Sequence, residues 1–276
     1  MVKLSIRDLG KQFGGTAGSF QALQGISFDV HEGEFLTIIG PSGSGKSTLL
    51  RCLAGFEEPT QGSITLDGRP IQGPGIDRMM VFQGFEQLFP WLSVRDNITF
   101  SLKQARIGHT KSERNAIAQR YLQLVGLSGF EKFHPHELSG GMKQRVAIAR
   151  ALSVQPKVLL MDEPFGSLDA LTRSTLETEL ARIWLETRVT VVFVTHNIEE
   201  AIVQADRILV LASSPGRIKE MVVNPLPRPR CPEMEGYARL WEELRYLLGF
   251  SQTRESEPDA SDRPALVQKA ASVSKA

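Results

Sequence analysis

Apolar residues along the chain follow two patterns, one typical of buried strands and the other of helices. Residues 35–39 and 189–194 are short, continuous apolar runs rich in β-branched side chains, which predicts buried strands. In the C-terminal half, strand-like and helix-like segments alternate in the order strand 158–161, helix 171–186, strand 189–195, helix 198–205 and strand 208–211. This alternation predicts an α/β fold with a mainly parallel sheet.

The N-terminal part of the chain shows a different pattern, with apolar and polar residues alternating on either side of a glycine-rich tip at residues 14–18. The apolar positions are Leu4, Ile6, Leu9 and Phe13 before the tip and Leu23, Ile26, Phe28 and Val30 after it. A strand at residues 62–68 ends in an Asp-Gly turn signal, and another follows at 79–83. We therefore expect β structure over residues 2–38, followed by further short strands.

Residues 92–152 are predicted to be helical. Thr110 and Glu113 have the spacing of a capping box, and Gly126 suits the C-terminal end of the helix that they open. A further helix is expected from about residue 141 to residue 152, before a proline. This part of the chain is therefore predicted to form a separate helical region.

The last part of the chain divides into a linker, a helix and a tail. Residues 225–230 are rich in proline and predict an extended linker. Apolar residues at helical spacing then predict a helix whose stripe packs on the core or on another surface, and they are Tyr237, Leu240, Trp241, Leu244 and Leu248. Residues 226–250 are thus a linker and helix, whereas the polar, aperiodic residues 251–276 are expected to be disordered.

Composition and charge narrow the possible partners. The 276 residues are 41% hydrophobic and 23% charged, and the net charge of +1 provides no basic field for nucleic acid. Cys52 and Cys231 lie far apart without metal-ligand spacing, as expected of structural thiols in a reducing compartment. No apolar run has the length of a membrane span, and the first residues carry charge where a signal peptide is apolar. We expect a chain that is neither secreted nor membrane-spanning.

The strand at residues 35–39 leads into the motif G-x-x-x-x-G-K-S and then into a helix that is expected to stop at Gly55. In this context, backbone N–H groups and the helix N-terminus bind phosphate, the lysine reaches the β- and γ-phosphates, and the serine hydroxyl ligates Mg²⁺. The alternative, a glycine-rich turn without a ligand, does not account for the flanking strand and helix. The residues expected to bind nucleotide are Gly40, Pro41, Ser42, Gly43, Ser44, Gly45, Lys46, Ser47 and Thr48.

Two other segments carry complementary chemistry. Asp162 and Glu163 follow an apolar strand, where Asp162 is predicted to lie on the Mg²⁺ side and Glu163 to polarise a water facing the γ-phosphate. Alone, this pair would be read as a solvated strand end. Residues 138–142 place a serine and two glycines at the start of a helix, either as a second anion site or as an ordinary N-cap.

These motifs resemble those of the ATP-binding cassette (ABC) ATPase family over nearly all of residues 2–225. In the family's order they are the Walker A motif at residues 40–47, the Q-loop at Gln83, the signature at 138–142, the Walker B motif at 158–163, the D-loop at 167–169 and the switch histidine at His196. The resemblance implies a P-loop NTPase with a RecA-like mainly parallel sheet, an antiparallel β subdomain and a helical signature subdomain at about residues 92–152. It assigns residues 1–225 to one ABC ATPase domain.

The resemblance also implies a mechanism in which two cassettes pack head to tail. Ser139, Gly140 and Gly141 of one cassette would then clasp the γ-phosphate held by the other. By resemblance, Glu163 would be the catalytic base and His196 would contact the γ-phosphate. Gln83 would be a Mg²⁺ ligand and sensor, and Asp162 and Ser47 would also bind the metal. Asp169 would form a contact across the dimer, and Phe13 would be the aromatic residue stacked on adenine. Phe13 can equally be a core strand residue. The family's signature usually ends in glutamine, whereas Met142 stands here.

Three stretches, at residues 71–83, 88–94 and 211–217, resemble the nitrate/sulfonate/taurine importer branch of the family. This resemblance implies ATP and Mg²⁺ as ligands, and a second cassette, identical or paralogous, as partner. It also implies transmembrane permease subunits, indirectly a solute-binding protein, and a peripheral place on the cytoplasmic face of the inner membrane. The aromatic and apolar residues expected to receive a permease helix, or else to fill the helical core, are Phe85, Leu88, Phe89 and Trp91.

Two other classes of protein compete with this interpretation. Soluble cassette proteins acting on nucleic acid or the ribosome typically carry tandem cassettes or a long coiled coil, and this chain has neither pattern. A P-loop kinase acting on a small metabolite would leave Ser139 and His196 without a role. We therefore expect an importer ATPase that does not bind nucleic acid.

Overall fold

The fold consists of two sheets and seven α-helices within residues 1–15, 18–84 and 87–250, which are the residues that the computed structural model describes. The strands are β1 (Val2–Gly15), β2 (Gly18–His31), β3 (Phe35–Ile39), β4 (Gln61–Leu66), β5 (Arg69–Pro70), β6 (Arg78–Val81), β7 (Val158–Asp162), β8 (Thr190–Thr195), β9 (Arg207–Ala212) and β10 (Arg217–Val223). The helices are α1 (Lys46–Ala54), α2 (Val94–Gln104), α3 (Lys111–Leu124), α4 (Gly140–Ser153), α5 (Ala170–Thr187), α6 (Ile198–Gln204) and α7 (Tyr237–Leu247), with a 3₁₀ turn at Pro135–Glu137. The predictions for Phe85 and for the tail at 251–276 lie outside the described residues.

The smaller sheet is antiparallel, with strand order β2-β1-β4-β5. Strands β1 and β2 pair with Leu4 opposite Val30 and Ile6 opposite Phe28, and all four side chains are buried. The predicted alternation of apolar and polar positions is therefore confirmed. A hairpin with both turn residues, Asp67 and Gly68, at positive φ joins β4 to β5, a two-residue strand too short to show a period in the sequence.

The larger sheet has the strand order β10-β9-β3-β8-β7-β6, and every pair except β10–β9 is parallel. The predicted parallel sheet is confirmed. Its central strands β3, β7 and β8 are buried on both faces, since one buried cluster lies between the two sheets around α1 and another lies under α2 to α5. Strands β3, β8, β7 and β6 are consecutive, so their carboxyl ends meet at one edge, where ligands bind in such sheets.

Helix α3, in the helical region between β6 and β7, begins and ends at the predicted signals. Thr110 Oγ1 accepts a hydrogen bond from Glu113 N at 3.1 Å, and the Glu113 carboxylate accepts one from Thr110 N, which completes the capping box. Gly126 follows α3 with φ at 68°, a left-handed conformation that glycine adopts without strain. Among the described residues, no helix is both long and apolar enough to cross a membrane.

The proline-rich segment after β10 forms neither helix nor strand, and it is fastened to the fold. Arg230 Nη1 donates to the carbonyl of Ala205 at 2.6 Å, and Arg228 Nη2 donates to Asp206 Oδ1 at 2.8 Å. These guanidinium groups satisfy carbonyls that the C-terminal end of α6 leaves free. Helix α7 then packs on α6 and buries Tyr237, so its apolar stripe belongs to the core.

Both cysteines are free thiols. Cys52 is buried on α1, and burial raises the pKa of its thiol to about 11, whereas Cys231 is exposed in the segment before α7. The Cys52 thiol is therefore protonated and unreactive at neutral pH, as expected of a structural cysteine.

Candidate nucleotide site

The loop between β3 and α1 has the backbone conformation of a phosphate cradle. Gly43 and Gly45 have φ of 78° and 82°, and Gly45 is the N-cap of α1. Within the described residues, no side chain caps this helix end and its first turn carries no acidic residue. The free N–H groups and the positive end of the helix dipole are therefore available to an anion.

Close packing explains why this loop needs glycine. A Cβ at Gly45 would lie 2.7 Å from Leu23 Cδ2, and a Cβ at Gly40 would lie 2.8 Å from the carbonyl of Leu211. The loop is thus held between β2 and β9, which fixes the direction of its N–H groups.

Lys46, the first residue of α1, points back into the loop. Its Nζ donates to the carbonyls of Gly40 at 2.9 Å and Pro41 at 3.1 Å. Burial lowers the pKa of Lys46, while the charges of Glu163 and Asp162 act in the opposite direction. The ammonium is therefore placed inside the cradle, where a phosphate oxygen can replace or join the two carbonyls.

Ser47 and Asp162 meet beside this cradle, although they are far apart in the sequence. Ser47 Oγ donates to Asp162 Oδ1 at 3.0 Å. Burial raises the pKa of Asp162, and the hydrogen bond from Ser47 opposes that rise. A hydroxyl and a carboxylate oxygen are hard ligands of the kind that Mg²⁺ takes together with phosphate oxygens and water. Among the described residues there is no group of three or more His, Cys, Asp and Glu side chains that could hold a metal ion.

Glu163 and His196 form the next pair along the carboxyl edge of the sheet. His196 Nδ1 lies 3.0 Å from Glu163 Oε2. Glu163 adopts a φ of 43°, which is uncommon for a residue other than glycine. Its backbone N–H donates to the carbonyl of Val194 at 2.9 Å. The chain thus turns sharply after β7 and aims a carboxylate along the edge at the end of β8.

Gln83 follows β6 and reaches the same region. A Cβ at Gly166 would lie 2.9 Å from Gln83 Nε2 and 3.6 Å from Glu163 Oε2. The side chain of Gln83 therefore lies over Gly166 close to Glu163, an approach that a larger residue at position 166 would block. The structure thus brings the side chains of Gln83 and His196 close to Glu163.

The signature residues lie at the start of α4, in the helical region. Ser139 is the exposed N-cap of α4, and its Oγ accepts a hydrogen bond from Met142 N at 3.3 Å. Gly141 faces α5, since a Cβ there would lie 2.8 Å from Thr172 Cγ2. Met142, at the position where the family usually has glutamine, is half-buried against the core of the helical region. Gly140 is the first residue of α4, beside Ser139.

Asp169 lies close to this surface as the N-cap of α5. Its Oδ1 accepts a hydrogen bond from Thr172 N at 3.0 Å, and this backbone hydrogen bond is the main reason for the lowered pKa of Asp169. The residue is exposed, so one carboxylate oxygen caps the helix and the other faces outward. The sequence interpretation did not include this capping role.

A cavity of about 340 Å³ adjoins the loop and shows which residues share one site. It is lined by Phe20, Ala22, residues 42–48 and Glu163. Phe13 pairs with Phe20 across the β1–β2 hairpin. The Lys11 ammonium lies 4.8 Å from the centre of the Phe13 ring. Phe13 is partly exposed, but Phe20 is the aromatic residue that lines the cavity, and sequence analysis missed it. The sequence feature that indicates Phe20 is an aromatic residue two positions after the glycine-rich tip at residues 14–18.

The fold and this arrangement define a P-loop nucleotide hydrolase. The family model described as "ABC transporter" matches residues 23–166. The chain belongs to this family and is an ABC-type ATPase, an enzyme that couples ATP hydrolysis to transport. The predicted resemblance is confirmed.

Three relatives are similar to most of this chain, and two of them are named for nitrate import or bicarbonate transport. The uncharacterized ABC transporter ATP-binding protein MJ0412 of Methanocaldococcus jannaschii is 50% identical over 83% of this chain and 85% of that protein. The nitrate import ATP-binding protein NrtD of Synechococcus elongatus is 49% identical over 80% of this chain and 81% of that protein. The bicarbonate transport ATP-binding protein CmpC of the same organism is 48% identical over 89% of this chain but only 38% of that longer protein.

Solved structures agree with the fold. The dimeric post-hydrolysis structure of the ATP-binding cassette MJ0796, bound to ADP and Pi, matches with a TM-score of 0.69 and 29% identity over 81% of this chain and 100% of that chain. The structure of cbiO1 from Clostridium perfringens, part of the ABC transporter complex cbiONQ, matches with a TM-score of 0.72 and 28% identity over 90% of this chain and 96% of that chain. The predicted fold class is confirmed.

Proposed function

We propose that this chain is the ATP-hydrolysing subunit of an importer for a small anion or sulfonate-like solute, of the nitrate, bicarbonate, sulfonate or taurine type. The relatives named for nitrate import and bicarbonate transport support this class of solute. The solute itself would be selected by the permease and by a solute-binding protein. The ATPase would supply the energy through closure of a dimer.

The position of Ser139 is the observation that carries the proposal. This residue lies exposed at the tip of α4, which packs on α5, whereas the cavity around Lys46 is formed by the β1–β2 hairpin, the loop and Glu163. The serine-glycine helix end is therefore exposed and does not line the phosphate cradle of its own chain. Two chains packed head to tail would complete both sites, with Asp169 at the contact between them.

Within such a site, each residue has a role that follows from its geometry. Lys46 and the N–H groups of residues 43–48 would neutralise and hold the β- and γ-phosphates. Glu163 would take a proton from the attacking water, and His196 would hold that carboxylate and contact the γ-phosphate. Ser139 and Gly141 of the second chain would bind the γ-phosphate from the opposite side.

Ser47, Asp162 and Gln83 are the residues that would hold Mg²⁺. When bound, the metal would neutralise charge on the β- and γ-phosphates. Ser47 and Asp162 already meet at 3.0 Å, and Gln83 lies near enough to Glu163 to link the metal side of the site to the base. Phe20 lines the cavity beside the loop and pairs with Phe13 across the hairpin, so the adenine would stack against this part of the hairpin.

Mixing two inactive variants tests the shared site. Lys46→Ala removes the phosphate-binding ammonium, and Ser139→Asp keeps an N-cap for α4 while placing a negative charge against the phosphate. A mixed dimer has one site with both changes and one intact site, so an equimolar mixture is expected to recover roughly a quarter of the wild-type ATPase rate. Phosphate release, measured for each variant alone and for the mixture, checks this expectation. A mixture as inactive as its components, with both chains folded, would contradict the shared site.

The proposed place of the chain is the cytoplasmic face of the inner membrane, where aromatic residues would dock a permease. Trp91 is 72% exposed, and its ring lies 5.5 Å from that of Phe89, which in turn lies 4.8 Å from that of Phe100. Leu88 instead belongs to the core of the helical region, so this part of the predicted groove fills the interior. The three rings form an apolar surface suited to a helix of the permease.

Trp91→Ala is therefore expected to weaken co-purification with the permease subunits at least several-fold while ATP affinity stays unchanged, since most of the exposed ring surface is lost. Pull-down of tagged permease, followed by nucleotide titration of the free ATPase, measures both effects. Tyr246→Ala removes a comparably exposed aromatic ring on α7 and serves as the control. Equal recovery of Trp91→Ala and wild type would argue against this docking surface.

A further inference from the structure

A buried carboxylate lies behind His196 and is not part of the nucleotide site. Glu200 on α6 is only 3% exposed, and its Oε2 accepts a hydrogen bond from Thr195 Oγ1 at 2.5 Å. Thr195 is itself buried and is the residue directly before His196. The same Oγ1 accepts a hydrogen bond from Asn197 N at 3.0 Å. The peptide units on both sides of His196 are therefore fixed through one threonine hydroxyl and one buried carboxylate.

Arg173 on α5 is the cation that faces this carboxylate. Its Nε lies 3.8 Å from Glu200 Oε1, and its Nη2 donates to the carbonyl of Leu168 at 2.9 Å. Leu168 directly precedes Asp169, the N-cap of α5. A single guanidinium group thus joins the 167–169 segment to the carboxylate behind His196.

The surroundings make Glu200 dependent on Arg173. Burial raises the pKa of Glu200, and the hydroxyl of Thr195 and the charge of Arg173 oppose that rise. Glu177, one turn further along α5, also faces this region, and burial together with the charge of Glu200 raises its pKa to about 7. Glu200 and the half-buried Glu177 therefore share one cation, and removing that cation would leave Glu200 buried with only the hydroxyl of Thr195 to stabilise its charge.

We propose that Arg173 and Glu200 are positioning residues for ATP hydrolysis, which hold His196 against Glu163 and tie this contact to the backbone of residues 167–169. The proposal rests on the proposed roles of Glu163 and His196. The path runs from the Leu168 carbonyl through Arg173, Glu200 and Thr195 to His196 Nδ1, which lies 3.0 Å from Glu163 Oε2. A change in the position of residues 167–169 would therefore be transmitted along this path to His196 and Glu163.

The test uses Glu200→Gln, which keeps an oxygen acceptor for Thr195 and removes the charge. We expect kcat to fall roughly 10-fold or more, with the ATP dissociation constant within about 2-fold of wild type. Arg173→Met removes the positive partner of the pair. We expect it, like Glu200→Gln, to lower kcat and to leave the ATP dissociation constant almost unchanged. Arg173→Lys, which restores a positive charge, is expected to recover part of the loss.

Two further variants separate positioning from stability. Glu34→Gln removes another buried carboxylate, paired with Arg207 at 2.6 Å at the amino end of β3, and is expected to lower the melting temperature without lowering kcat. In a His196→Ala background, Glu200→Gln is expected to cause no additional loss of single-turnover rate, because its effect passes through His196.

Two outcomes would overturn the proposal. Losses from Glu200→Gln and His196→Ala that multiply would show that Glu200 does not act through His196. A kcat for folded Glu200→Gln and Arg173→Met within about 2-fold of wild type would show that the pair only stabilises the fold. The roles of Glu163 and His196 are tested separately by Glu163→Gln and by His196→Ala alone, so a failure there is distinguishable from a failure of this proposal.

Discussion

Glu163→Gln is expected to bind ATP with wild-type affinity and to hydrolyse it ~10²- to ~10⁴-fold more slowly. Glutamine has nearly the same shape and can still meet His196, which lies 3.0 Å away, but its amide cannot accept a proton from water. The backbone turn at φ of 43° is also unchanged in kind, because both residues carry a Cβ. The change therefore removes the proposed proton acceptor and leaves the binding surface in place.

The same variant is expected to accumulate as an ATP-bound dimer. If hydrolysis is what reopens the two shared sites, a chain that binds but does not hydrolyse ATP stays closed. Phosphate release at saturating ATP and light scattering after gel filtration measure the two effects. Glu186→Gln, a change at an exposed position of α5, is the matched control and should resemble wild type in both assays. Turnover of Glu163→Gln close to the wild-type rate would refute the role of Glu163 as base.

Lys46→Ala is expected to abolish measurable ATP affinity, with a dissociation constant raised ~10²-fold or more, since charge-assisted hydrogen bonds to phosphate are each worth about 1.5–3 kcal/mol. The lysine also holds the loop through the carbonyls of Gly40 and Pro41; both would lose the lysine as donor, although Pro41 keeps its hydrogen bond from Ser44 N. Burial lowers the pKa of Lys46, but the nearby acids oppose this shift and an arriving phosphate would oppose it further.

Equilibrium titration with a fluorescent ATP analogue measures the loss of affinity. Circular dichroism separates it from unfolding, because α1 should remain helical. Lys132→Ala, at an exposed position between α3 and α4, controls for the removal of a positive charge. A dissociation constant for Lys46→Ala within about 3-fold of wild type would contradict the assigned role of the loop.

Local patterns predicted most elements, because each depends on nearby residues. The alternation in β1 and β2, the capping box at Thr110 and the glycine after α3 all lie where the sequence placed them. Burial of an entire strand such as β3 leaves a continuous apolar run that is equally visible. By contrast, β5 has two residues and no period, so only its hairpin with β4 defines it.

The candidate site was predictable in its residue types but only partly in its arrangement. The motifs indicated Lys46, Ser47 and Asp162, and the structure places these residues next to one another because a P-loop and a carboxylate after a parallel strand meet at one sheet edge. The motifs did not indicate Phe20, whose place in the cavity depends on the path of the β1–β2 hairpin. Nor did they indicate that the proline-rich segment at 225–230 is bound to the end of α6.

The sequence by itself determined the class of fold, the family and the chemical groups of the site, because strand and helix periods, caps and phosphate-binding turns are short-range properties. Only the tertiary structure decided which groups touch. The parallel strand order aligned Gln83, Glu163 and His196 at one edge, and the packing of α4 on α5 left Ser139 exposed and outside the cavity at the loop. The contact between Arg173 and Glu200 arises in the same way. These two residues are 27 positions apart in the sequence and meet because α5 and α6 lie against each other.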